Sequence, residues 1–210
     1  IDGVLSHPGS DWAGFVNHVY LTQEGIFGIP AKVVSTFVFH FVLFGVIATR
    51  MGLGQFFIDL AAIVAGRYPG GPAKVAVVSS ALFGSISGSS IANTVTTGSL
   101  TIPAMKKIGY RPHFAGAVEA AASAGGQITP PIMGAAAFVM IEFLEIPLTT
   151  LLAAAAMPAL MHFLGVFVQV HFEAKRLGLR GMEPEDLPRL GHTVARGWPT
   201  VIPLVILVWT

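Results

Sequence analysis

Cysteine is absent from the 210 residues, and only 11% of them are charged. Without cysteine there is no disulfide, no thiolate-held metal and no cysteine nucleophile. A formal net charge of +1 leaves no electrostatic footprint for nucleic acid, so that partner class is excluded. Residues 1–31 lack Lys and Arg altogether, with Asp2, Asp11 and Glu24 as their charges. There is no initiator methionine: the chain opens on Ile1 and stops at Thr210 inside an apolar run, which predicts a fragment. What abounds is hydrocarbon. Hydrophobic residues make up 53% and the mean hydropathy is +0.72, the composition of an integral membrane protein.

The expected fold is an all-α, multi-span membrane bundle, and its centre is residues 79–132, an apolar stretch interrupted twice. The first interruption is Gly84-Ser85-Ile86-Ser87-Gly88-Ser89-Ser90, followed by Ala92-Asn93-Thr94 and Thr96-Thr97-Gly98-Ser99. The second is Gly125-Gly126-Gln127-Ile128-Thr129-Pro130-Pro131. Hydrocarbon tolerates non-helical backbone only where protein or a wet cavity satisfies its polar groups. Two such breaks close together predict a site for an ion and a solute.

Around that centre four regions are expected. Residues 1–31 form an outer interfacial segment with Trp12, Tyr20 and Phe27. Residues 32–66 hold a first span at 33–49 and a short helix at 54–65 that suits the interface. Residues 67–145 form the core: a re-entrant hairpin with arms at 73–86 and 91–105, then a broken span over 114–144. Residues 146–210 hold a full span at 150–170, a polar loop at 171–196 and the start of another span. With the hairpin re-entrant, every one of the 12 Lys and Arg residues except Lys32 falls on one side, the cytoplasmic side by the positive-inside rule. A hairpin that crossed fully would scatter them.

The chemistry-bearing residues sit at the breaks. A hard monovalent cation such as sodium takes oxygen ligands, which unwound carbonyls and hydroxyls supply without fixed charge. Ser87, Gly88, Ser89 and Ser90 offer both, and Gly125, Gly126 and Thr129 are their counterparts in the second break. Asn93 and Thr97 lie four apart on one helix face. Asn93, Thr96, Thr97, Gln127 and Pro130 are the candidate substrate-binding set, with Asn93 supplying amide donors and an acceptor. Glu119 and Glu142 are intramembrane acids, expected as interfacial or paired residues rather than proton carriers. His40 and His162 fall mid-span, and no metal-binding spacing such as HExxH is present. No organic cofactor and no resident metal beyond a sodium ion are expected.

The strings SGSSIANTVTTGSLTIPAMKKIGY and Gly-Gly-Gln-Ile-Thr-Pro-Pro resemble the large membrane subunit of tripartite ATP-independent periplasmic (TRAP) transporters. Their details look like the TAXI branch, whose membrane subunits are often one fused chain. Asn93 stands where many members carry an aspartate. The resemblance implies a bacterial or archaeal cytoplasmic membrane and a periplasmic solute-binding protein as partner, with a small membrane component separate or fused. It also implies sodium-coupled uptake of organic acids such as dicarboxylates, by elevator-like movement of one half of an inverted repeat. A proton-coupled version stays open. Two other classes do as well: an intramembrane serine protease built on Gly88-Ser89-Ser90-Ile91 with His40 or His162 as base, and a non-transporting subunit or channel.

Overall fold

The computed structural model describes Gly9 and residues 11–209, with side chains to residue 202. Asp2 and the rest of the chain's first eight residues, with Ser10 and Thr210, lie outside the described residues. All regular structure among the described residues is helical. Helix α1 (Trp12–Val16) begins at Asp11, whose carboxylate caps the Gly14 N–H at 2.8 Å.

Two helices are long and apolar enough to cross a membrane: α2 (Ile29–Arg50), with a π-helical stretch at Val34–Val38, and α8 (Leu148–Arg176). Both outrun the expected spans. Pro30 fits the first turn of α2, where its missing N–H costs nothing, so the helix starts before the apolar run. Lys175 and Arg176 extend α8 at the end where the helix dipole favours cations. Only 6% of the most apolar window of α8 is buried, with Met157, Leu160, Met161 and Leu164 facing outward. A soluble core helix would hide that face.

Between them lies the packed centre. Helix α3 (Leu53–Ala65) follows Gly52, which adopts the left-handed conformation at φ 94°. Its Leu53, Phe57, Ala61 and Ala65 recur every fourth residue and are buried. That face packs on α4 (Gly71–Ser87), with Phe83 and Ile86 joining Leu53 and Phe57 in one cluster. Helix α5 (Ser90–Lys107) folds back along α4, and α6 (Pro112–Gly125) packs on both. The shared core of α4, α5, α6 and α8 is rich in alanine: Ala73, Ala76, Ala115, Ala122 and Ala174. Small side chains let these helices approach closely, the main source of helix association when lipid is as apolar as leucine.

After α6 come a 3₁₀ turn at Gly126–Ile128 and helix α7 (Ala135–Leu144). Lys32 at the start of α2 reaches Glu142 on α7 at 3.0 Å. Beyond α8 the chain returns to the base of α4, where Gly70 N donates to the Arg180 carbonyl at 3.2 Å and Met182 N to the Gly66 carbonyl at 2.8 Å. Tyr110 is buried at the same end, and burial, reinforced by the Glu173 charge, pushes its phenol up to about 12. Helix α9 (Leu190–Trp209) then packs on α3, with Gly197 set directly against the Phe56 ring.

Candidate functional site

The turn between α4 and α5 is two residues long. Gly88 takes a left-handed φ of 58°, and its N–H closes on the Gly84 carbonyl at 3.1 Å. Glycine is required twice over here, since a Cβ would also strike the Met133 carbonyl. Ser89 then caps α5, its hydroxyl accepting from the Ala92 N–H at 3.2 Å.

Several bonds hold the second break. Thr129 donates its hydroxyl to the Gly125 carbonyl at 2.7 Å, and Gly134 N donates to the Gln127 carbonyl at 2.7 Å. Ile132 N donates to the Ser85 carbonyl of α4 at 3.2 Å, tying the break to the hairpin. Gly84 and Gly126 meet backbone to backbone: a Cβ on Gly126 would lie 2.8 Å from the Gly84 Cα. Gln127 reaches across, its Nε2 donating to the Ser90 hydroxyl at 2.7 Å.

Both breaks open on one cavity of about 530 Å³. Ser87, Gly88, Ser89, Ser90 and Gln127 line it, with Ile128 and residues 132–138 completing one wall. Phe41 of α2 and Leu151 of α8 close the sides. No Asp, Glu, His, Lys or Arg among the described residues lines it. Its polar groups are hydroxyls, one amide and backbone carbonyls, a set suited to a hard cation or to a solute held by hydrogen bonds.

The other candidates are placed elsewhere. Gly125 lies under the His162 ring and Gly126 against Gly84, both buried, while Thr129 and Pro130 are half-buried within the break. Thr96 faces a second space of about 450 Å³ between α5 and α2, lined also by Thr49 and Arg50 and sharing Ser87 and Ser89 with the first. Asn93 and Thr97 point inward and are fully buried. Asn93 Nδ2 donates to the Ser80 carbonyl at 3.0 Å, and the Thr97 hydroxyl lies 3.2 Å from Asn93 Oδ1.

Behind the cavity this inward face meets Glu119, and here the expectation of an interfacial acid is corrected. Glu119 is 0% exposed, and no described ion pair includes it. Its Oε1 contacts the hydroxyls of Thr97, Ser123 at 3.2 Å and Ser80 at 3.4 Å; its Oε2 contacts that of Thr101. A carboxyl group out of water needs such partners, because an unsatisfied one is strongly penalised. The signal was present in the sequence: Asn93, Thr97 and Thr101 repeat every fourth residue, and so do Glu119 and Ser123, giving two facing polar stripes.

The protease alternative finds no base. His40 Nδ1 bonds the Thr36 carbonyl at 2.6 Å and His162 Nε2 the Ala121 carbonyl at 2.9 Å, while the Ser89 and Ser90 hydroxyls meet Ala92 N and Gln127.

A family model described as "Tripartite ATP-independent periplasmic transporter, DctM component" matches residues 9–210. The isethionate TRAP transporter permease protein of Oleidesulfovibrio alaskensis is 29% identical over 93% of this chain and 31% of its own length. The 2,3-diketo-L-gulonate TRAP transporter large permease protein of Escherichia coli is 27% identical over 80% of this chain and 39% of its own. The C4-dicarboxylate TRAP transporter large permease protein of Rhodobacter capsulatus is 35% identical over 43% of this chain and 21% of its own. The chain thus spans well under half the length of these relatives.

Proposed function

The chain belongs to the tripartite ATP-independent periplasmic transporter DctM component family, multi-span membrane permeases rather than enzymes; on that premise, we propose that it forms part of a secondary transporter taking up an organic acid by ion coupling. The observation that carries the reading is the convergence of the two breaks on one largely apolar cavity whose polar lining is neutral oxygen and amide groups. Relatives named for isethionate, 2,3-diketo-L-gulonate and C4-dicarboxylates handle small organic anions, and a small organic acid is the solute class assigned here. A periplasmic solute-binding protein of the TAXI type delivers it, and a small membrane component, separate or fused, completes the complex. The α4–α5 hairpin is re-entrant, the α6–α7 segment is a broken span, and together they move past a scaffold in elevator fashion.

Sodium is the coupling ion in this reading. The Ser87–Ser90 backbone and hydroxyls form its site at the cavity, with Gly125, Gly126 and Thr129 packed behind it, and the solute lies against Gln127, with Asn93 and Thr97 shaping the helix behind. Support comes from the cavity lining, which offers oxygen ligands and no titratable side chain among the described residues. The test is uptake by vesicles holding the full-length complex with its binding protein. A sodium gradient should drive accumulation, and Ser87→Leu or Ser89→Leu should abolish it at unchanged membrane levels. Uptake driven by a pH gradient in sodium-free buffer would replace sodium with the proton-coupled reading.

A further inference from the structure

We propose that Glu119 is a positioning residue: its hydroxyl contacts tie both arms of the α4–α5 hairpin to α6, holding the hairpin tip against the second break. The inference rests on the transport reading for its consequence, but its geometry stands apart from it. Ser80 comes from α4, Thr97 and Thr101 from α5, and Ser123 from α6, so one carboxyl group gathers three helices. Gly98 clears its path, since a Cβ there would lie 2.9 Å from the Glu119 Cγ.

The link to the tip follows from helical spacing. On α4, Gly84 lies one turn beyond Ser80, on the same face. On the facing chain, Glu119, Ser123 and Gly126 also share a face. The carboxyl cluster and the Gly84–Gly126 contact are therefore neighbouring layers of one interface. Whatever sets the spacing at Glu119 sets how closely Ser87–Ser90 approach Gln127.

The role belongs to hydrogen bonding rather than to charge. In Glu119→Gln the amide oxygen accepts from Thr97 and Ser123. Its Nε2 donates to Thr101, whose own proton turns to the Thr97 carbonyl 3.0 Å away. In Glu119→Ala the Ser123 hydroxyl loses the one partner recorded for it and a void opens between three helices.

The test uses the full-length complex, with any cysteines outside this chain removed. Ser90→Cys with Gln127→Cys reports tip-to-break proximity by its rate of disulfide formation under oxidant, with no need for transport. Glu119→Gln should leave that rate unchanged, whereas Glu119→Ala should slow it about tenfold, the weight of roughly one buried hydrogen bond left unmade. In variants without the cysteines, Glu119→Ala should raise half-saturating sodium by about tenfold and Glu119→Gln should not. If Glu119→Ala fails to accumulate, Thr101→Val removes the contact to Glu119 Oε2, together with the Thr101 hydroxyl's contact to the Thr97 carbonyl within its own helix, and should slow crosslinking about threefold, a fraction of the same energy. Wild-type crosslinking in Glu119→Ala or Thr101→Val overturns the proposal, and so does a Glu119→Gln as impaired as Glu119→Ala. Absence of sodium-driven uptake in the wild type would overturn the transport reading instead, leaving the crosslinking result to stand.

Discussion

Replacing Gly126 with alanine tests the contact on which the proposed site depends. The backbone there is ordinary right-handed helix, φ −59° and ψ −30°, so the conformation admits alanine. The penalty is purely steric: the new Cβ would stand 2.8 Å from the Gly84 Cα, on backbone that cannot swing aside. Carbon atoms rest at about 3.5–4.0 Å, so hairpin and break must part by roughly 0.7–1.2 Å. Overpacking of this kind costs about 1–3 kcal/mol. Gly116, on α6, is the control, because a Cβ there meets nothing within 4 Å. Gly116→Ala should stabilise by about 0.4–1 kcal/mol through the unfolded chain's lost freedom. The two variants are therefore opposite in sign. Thermal unfolding of the full-length protein in detergent should show Gly126→Ala melting below the wild type and Gly116→Ala at or above it. Uptake should fall only in the first. A Gly126→Ala that melts with Gly116→Ala would refute the close approach and, with it, the union of the two breaks in one site.

Asn93→Asp should behave as a core defect: it removes the donor to the Ser80 carbonyl and sets a second carboxyl group beside Thr97 and Glu119. The expected cost is about 1–3 kcal/mol or more, read as a lower melting temperature and reduced membrane level. A variant with wild-type stability and altered sodium affinity alone would return Asn93 to the binding surface. Topology is tested with single cysteines placed in the 106–113 turn and the 178–188 loop, labelled by an impermeant reagent in intact cells. Both should stay unlabelled, as the basic residues Lys106, Lys107, Arg111 and Arg180 require; strong labelling of either from outside would overturn the cytoplasmic assignment and the re-entrant hairpin.

The two interruptions around the candidate site were legible because their pieces are local. Gly88 adopts a conformation that other residues avoid, Ser89 caps the next helix, and Pro130 and Pro131 lack the N–H that a helix would need. Each effect acts within a few residues, so the positions of both breaks follow from residue types alone. Helix lengths were read short because hydropathy marks where a segment is apolar, and helices such as α2 and α8 run on through polar ends held by Pro30, Lys175 and Arg176.

The sequence by itself therefore determined the helical class, the membrane-like composition and the two interruptions of the central stretch. Only the tertiary structure decided which way each face turned. Asn93 and Thr97 went inward while neighbouring Thr96 faced the α2 side, and Glu119 became the centre of a hydroxyl cluster rather than an edge residue. Periodicity says which residues share a face, but not which helix that face will meet. In a soluble chain, polarity would separate the buried face from the wet one. Here nearly every face is apolar, so the few polar side chains reveal their direction only once packing has brought Ser80, Thr97, Thr101 and Ser123 from three helices onto one carboxyl group.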